Sequence, residues 1–161
     1  MSCTAAEFDE AIMDFGKTGK YNPSHAVCYT YLESLGHLFI DKSTQDPYKK
    51  LSFAITGTNH FIDLMKKDRT LLNELDKVIL QTGHRTLFKE ENLIYYNCLK
   101  HKGYITVHGD MNNLPADKKY YPQVLLTMDG VKHYNSLVKE EDQIMEITLV
   151  PQIRIRKDLP Q

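Results

Sequence analysis

The chain has 161 residues and a mass of 18.7 kDa, room for one ordinary domain or two small ones. Hydrophobic residues make up 42% and charged residues 25%, the balance of a soluble globular protein. Twenty basic side chains against 21 acidic ones leave a net charge of -1. This excludes a strongly basic, histone-like nucleic-acid binder and a disordered acidic tail, though not a local basic patch.

In chain order, Met1 to Glu10 is acidic and lacks an apolar centre, so no secretory leader is expected. No apolar run reaches 18 residues, so no membrane-spanning helix is expected. Glu7 to Phe15 predicts a helix, and Ser24 to Leu35 a second, with Ser24 as its N-cap. Leu38-Phe39-Ile40 and Ser52-Phe53-Ala54-Ile55 read as strands around a loop from Lys42 to Lys50, and Asn59 to Lys67 as a closing helix. Apolar residues at 71, 72, 75, 78 and 79 predict a helix over 71–80, with Gly83 as its stop. Glu91 to Lys102 fits a helix carrying Leu93, Tyr96 and Leu99 on one face, ended by Gly103. Tyr104 to Val107 and Val124 to Thr127 read as strands around a polar loop from Gly109 to Lys119, and Val131 to Val138 as a last helix. From Ile147 to Arg156 the chain alternates in part and reads as an extended segment along an edge, with Pro151 limiting central pairing. That segment docks on its own chain or serves a dimer contact.

The chain repeats itself. Placing 5–41 on 72–108, an offset of 67, matches Glu7/Glu74, Asp9/Asp76, Ile12/Ile79, Gly16/Gly83, Tyr29/Tyr96, Leu32/Leu99 and Gly36/Gly103. Further on, His60 to Lys67 answers His133 to Glu140 at an offset of 73, and Ile55-Thr56-Gly57 answers Leu126 to Gly130 with two extra residues. Two divergent copies of one unit are therefore expected over 5–67 and 72–140. The domain division is 1–67, 68–140 and an extended tail over 141–161.

Leu99-Lys100-His101-Lys102-Gly103-Tyr104-Ile105, then Leu126-Thr127-Met128-Asp129-Gly130 before a helix, resembles the winged helix-turn-helix superfamily. There a helix ends in a Leu-three-residues-Gly signature, and a two-stranded wing and a Thr-x-x-Gly helix entry follow. Leu32-Glu33-Ser34-Leu35-Gly36-His37-Leu38 has the same spacing. The resemblance covers about 130 residues and implies a helix-rich α+β fold. Two tandem winged-helix domains would each hold helices plus a two-stranded wing. One departure from the family is that the helix before the recognition helix is hard to see at Lys17–Pro23 or His84–Phe88. A generic α+β domain is the alternative.

In that family the helices matching 24–35 and 91–102 enter the major groove and the wings touch the backbone. The DNA contacts implied are Lys49, Lys50, Asn97, Lys100, His101, Lys102, Lys118 and Lys119. Yet residues 24–35 hold no Lys or Arg, and their one charged side chain is Glu33. At 100° per residue, Ile94, Cys98 and His101 point away from Leu93, Tyr96 and Leu99, and Val27, Tyr31 and Ser34 take that place in the first copy. Apolar residues on two sides of a helix mean burial on two sides. Either the copies pack through these helices or a partner protein does, and Val27, Tyr31, Ile94, Tyr95 and Cys98 are the partner-binding candidates. The second wing, His108 to Pro122, is long and partly apolar; it grips a groove, lies on the body or meets a partner.

Chemistry is harder to find. Gly16-Lys17-Thr18-Gly19-Lys20 lacks the leading glycine of a phosphate loop, since position 11 is alanine. The pairs His25/Cys28 and Cys98/His101 offer two ligands each where a structural zinc needs four, so no metal and no cofactor are expected. His60 and His133, equivalent in the repeat, read as local packing or hydrogen-bonding residues. Cys3, Cys28 and Cys98 are odd in number and sparse, which is no disulfide framework and fits a reducing cytosol. The expectation is a cytoplasmic, non-enzymatic protein. Two functions compete: a DNA-binding transcription regulator acting on double-stranded DNA, or an interaction adaptor binding a protein partner or itself.

Overall fold

The computed structural model describes residues 3–41, 43, 50–85 and 87–140. They form a helix-rich α+β fold in which one order of elements occurs twice. The first unit holds α1 (Ala5–Thr18), α2 (Ala26–Ser34), the hairpin β1 (Leu38–Asp41) and β2 (Lys50–Phe53), and α3 (Ile55–Met65). The second holds α4 (Arg69–His84), α5 (Leu93–Lys102), the hairpin β3 (Ile105–His108) and β4 (Gln123–Leu126), and α6 over 128–140. Among the described residues no helix is long and apolar enough to cross a membrane.

Local chemistry sets the ends. Thr4 and Glu7 form a capping box at the start of α1: the Glu7 N–H donates to Thr4 Oγ1 at 3.1 Å. Asp68 caps α4 by accepting the Leu71 N–H at 3.1 Å. Gly103 closes α5 in the left-handed region at φ 79°. Inward faces follow the helical period: Ala11, Ile12 and Phe15 on α1, and Leu71, Leu75, Val78 and Ile79 on α4, are buried. Leu32 and Leu99, each 1% exposed, contribute about 2 kcal/mol apiece to their cores.

The two units match atom for atom at several polar points. His60 Nε2 lies 2.9 Å from Asp9 Oδ1, and His133 Nε2 lies 2.8 Å from Asp76 Oδ1. His37 stacks on His60 and Tyr104 stacks on His133. The buried Tyr29 hydroxyl accepts the Asn22 N–H, and Tyr96 accepts that of Lys89. Removal from water pushes the Tyr29 phenol up to about 12.

Several boundaries move. The helix expected from Ser24 is a 3-10 turn, Pro23–His25, followed by α2, and the cap is Asn22, whose side chain accepts the Ser24 N–H. Its partner in the second unit is the 3-10 turn Glu90–Asn92. Gly83 does not stop α4, which runs on to His84; a Cβ there would enter the Tyr134 ring, as one at Gly16 would enter Phe61. Glycine is kept for close helix packing at these positions.

The register shift lies elsewhere than the residues imply. Leu38 and Ile105 answer each other at 67, while their strand partners, Phe53 and Leu126, already answer at 73. The six extra residues therefore sit in the second hairpin loop, and no insertion separates Thr56 from Gly57. β2 and β4 end at Phe53 and Leu126, so Ala54, Ile55 and Thr127 leave the strands. Gly57 and Gly130 come so close to the carbonyls of His37 and Tyr104 that neither tolerates a Cβ. Thr127 Oγ1 donates to Gly103 O at 2.6 Å, and Thr56 Oγ1 serves Gly36 O at 2.9 Å from two positions further along.

Candidate interaction surface

The second helices of the two units occupy equivalent places within their units and opposite environments outside them. α5 packs along α1 and reaches α3. The Asn97 amide donates to Lys17 O at 2.9 Å, on the last turn of α1. His101 sits edge-on between Phe53 and Phe61, with ring centroids at 5.1 and 5.3 Å. Burial there, with Lys100 alongside, pushes the His101 imidazole down to about 4. Cys98 is fully buried, and loss of water raises its thiol to about 12, which makes it an inert packing group.

Four residues of α5 expected to meet DNA or a partner are thus committed inside the chain or beside its core. Asn97, Cys98 and His101 face the first unit. Lys102 is half-buried, its ammonium 5.0 Å from the Tyr104 ring centre, and burial lowers its pKa. Lys100 is exposed, Ile94 is 45% exposed and Tyr95 is half-buried.

In the first unit the same face is open. Val27 is 42% exposed and Tyr31 40%, where their counterparts Ile94 and Cys98 are 45% and 0%. Leu35 and Phe39 continue the apolar patch. Tyr31 meets Phe8 edge-on at 6.2 Å. Thr30 and Ser34, at the places of Asn97 and His101, donate their hydroxyls to Ala26 O and Tyr31 O.

The remaining cations are dispersed. Lys50 is exposed opposite Asp41 in the first hairpin; Lys49 lies outside the described residues. Lys118 and Lys119 are exposed on a 3-10 turn of the second hairpin loop, with the Lys119 ammonium 5.0 Å from the Tyr120 ring centre. They border a groove of about 700 Å³ that Glu90 and Glu91 also line, so its charge is mixed. The Tyr121 hydroxyl donates to Glu90 Oε1 at 2.5 Å across its mouth, and that contact raises the Tyr121 pKa. The loop does not stand free: Met111 is buried.

Cys3 and Cys28 are joined in a disulfide, with Cα atoms 5.7 Å apart. This corrects the expectation of a chain without disulfides. The start of α1 lies against α2, a proximity that spacing along the chain does not report. Among the described residues the one group with metal-ligand geometry is Cys3, Glu7 and Cys28. Its sulfurs are bonded to each other, and Glu7 Oε1 accepts from the Thr4 hydroxyl at 3.1 Å. His25 Nε2 lies 3.8 Å from Asp14 and takes no part.

The disulfide and the Asp partners of His60 and His133 are what reading by residue type misses. The pairs had a signal, since Asp9/Asp76 and His60/His133 are identities of the repeat. In comparison with known proteins, no family model, no curated protein and no solved structure matches this chain.

Proposed function

We propose that the chain is a tandem winged-helix protein that works as a protein-interaction module with little affinity for DNA. One observation carries this reading. The helix that would read bases is covered by the first unit in one copy, and in the other it is an exposed apolar face without a cation. Base readout needs Arg, Lys, Asn or Gln at groove edges, and the Asn97 amide is spent on Lys17 O. Phosphate binding needs clustered cations, and a net charge of -1 supplies no field to gather DNA.

A regulator that holds double-stranded DNA by its backbone is the second reading, supported by exposed Lys50, Lys100, Lys118 and Lys119. Binding to random duplex DNA across a salt series separates the two. An interaction module shows little binding even at low salt. A steep negative slope of log affinity against log salt, relieved by Lys118→Glu with Lys119→Glu, overturns the proposal. No enzymatic activity is proposed. The cytoplasmic location rests on the sparse cysteine content, and the Cys3–Cys28 bond, of a kind formed in oxidising compartments, weighs against it.

A further inference from the structure

We propose that Cys3, Glu7 and Cys28, once the bond between the two sulfurs is reduced, hold a thiophilic divalent ion such as zinc as two thiolates and a carboxylate. The three side chains come from two elements: Cys3 and Glu7 from the entry and first turn of α1, Cys28 from the first turn of α2. Both sulfurs and a Glu7 carboxylate oxygen lie within 4.8 Å of one another. Zinc binds thiolate sulfur at about 2.3 Å and carboxylate oxygen at about 2.1 Å in a tetrahedron, which sets sulfur about 3.8 Å from sulfur and about 3.6 Å from oxygen. The Cα atoms of the two cysteines are 5.7 Å apart. Rotation about the Cα–Cβ bonds therefore takes the sulfurs from bonding distance to that spacing with both helices in place.

The second unit shows that the fold does not need this pair of cysteines. At the repeat offset of 67, Cys3, Glu7 and Cys28 answer Thr70, Glu74 and Tyr95. There the opening helix is held by its buried face, Leu75 and Ile79 among it, and by the Asp76–His133 contact, with no covalent link. Glu74 turns to Lys77 at 3.0 Å. The first unit has the same kind of buried face and the equivalent Asp9–His60 contact. Its two cysteines are thus added to a unit that closes by other means, and they are added beside a carboxylate.

The surroundings suit an ion that enters from solvent. Cys28 is buried, Cys3 half-buried and Glu7 exposed, so the site has a fixed inner ligand and an open side. Cys3 precedes the N-cap of α1 and Cys28 stands in the first turn of α2, where helix N-termini favour an anionic sulfur. Both side-chain bonds of Glu7 to Thr4 end on Oε1, so the carboxylate has a second oxygen with which to ligate. Two thiolates select zinc-like ions over magnesium or calcium. The electrons come from a cellular dithiol. It is oxidised to its own disulfide, the Cys3–Cys28 bond breaks, and each freed sulfur takes up a proton that the metal then displaces. The covalent bond and the metal exclude each other, one suited to an oxidising compartment and the other to a reducing one. Three protein ligands leave a fourth position for water, so the ion is exchangeable.

Cobalt(II) is the probe. The whole chain is reduced with a phosphine, freed of it without air, and titrated with cobalt(II), whose bonds to thiolate absorb in the near ultraviolet and whose tetrahedral sites absorb strongly in the visible. Both bands are expected to saturate at about one ion per chain, to vanish on adding zinc(II), and to be missing from the oxidised chain. Cys28→Ser weakens binding about a hundredfold or more and Glu7→Gln about tenfold. Cys98→Ser leaves it unchanged, because that thiol is fully buried elsewhere. Zinc(II) raises the melting temperature of the reduced chain, since the ion binds the folded arrangement, and does not raise that of Cys3→Ser. Cys3 lies outside the helices, so this variant carries the test if the buried serine at 28 unfolds the chain. A reduced chain without the thiolate band, a band that survives in Cys3→Ser, Glu7→Gln binding at full strength, or binding with no rise in melting temperature overturns the proposal. DNA binding, or its absence, bears on the interaction reading alone.

Discussion

α2 and α5 share one pattern and differ in what lies outside them. Each buries an inner face of Tyr and Leu in its own unit: Tyr29 and Leu32, Tyr96 and Leu99, all at 1% exposure or less. On the outer face, α5 carries Asn97, Cys98 and His101 against the first unit, while α2 presents Thr30, Tyr31 and Ser34 to solvent. The lesson is that a helix which recurs in a repeated order of elements does not bring its neighbour with it. The first unit has another unit stacked on its α1, and nothing in the described chain stands in that relation to α2.

The sharpest way to break this comparison is to place a charge at both equivalent positions. Cys98→Asp should destabilise the fold by about 4 kcal/mol or more, because an unpaired carboxylate is forced between the units. Tyr31→Asp should cost about 1 kcal/mol or less. Urea unfolding measures both, and equal losses would mean that the outer faces do not differ as described.

A second test uses protonation. The His101 imidazole is held down to about 4 by burial, whereas in the unfolded chain it titrates near its usual value of about 6.5. Between those values the unfolded chain binds the proton and the folded chain does not. Stability is therefore fully present above about 6.5 and lost as the pH falls towards 4, by about 3 kcal/mol. His101→Gln should flatten that part of the profile. Ser34, its counterpart, cannot titrate, so a Ser34→Ala chain should keep it. An unchanged profile in the His101 variant would remove burial of the ring as its cause.

The smallest expected effect is at the hydrogen bond. Asn97→Ala should cost about 1 kcal/mol through the loss of its bond to Lys17 O. Thr30→Ala should be neutral or slightly stabilising, since alanine is the better helix former. A matching loss at Thr30 would show that its hydroxyl does more than bond its own helix.

Much of the fold was legible because the repeat placed core residues in pairs. Ile12/Ile79, Tyr29/Tyr96 and Leu32/Leu99 are identities in the sequence and buried counterparts in the structure. Burial of α5 on two sides was also readable, from Ile94, Cys98 and His101 lying opposite Leu93, Tyr96 and Leu99. What the residues could not say was which outer face finds a cover. That depends on the stacking of one unit on the other, and α2 carries an equally apolar outer face on which neither unit of the described residues stacks in that way. Thr56 misled for a different reason. Its match to Thr127 is a match of letters, but the backbone register places Ala54 opposite Thr127, each N–H donating to the carbonyl of His37 or Tyr104 at 3.0 Å. Two threonines reach one kind of carbonyl from different positions, so alignment by identity inserts residues that are not there. The disulfide was hidden because it joins positions 25 apart through helix packing rather than spacing.

The Asp9–His60 and Asp76–His133 contacts carry a consequence for how such a molecule arises. Each clasps the opening helix of its unit to the closing one, so a unit ends beside the place where it began. A block with adjoining ends can be copied and spliced to its twin by a very short joint. Here residues 66–68 suffice, between Met65 at the end of α3 and Arg69 at the start of α4. Lengthening by whole blocks is thereby easy for this architecture, and the clasp is the part that each new block would have to keep.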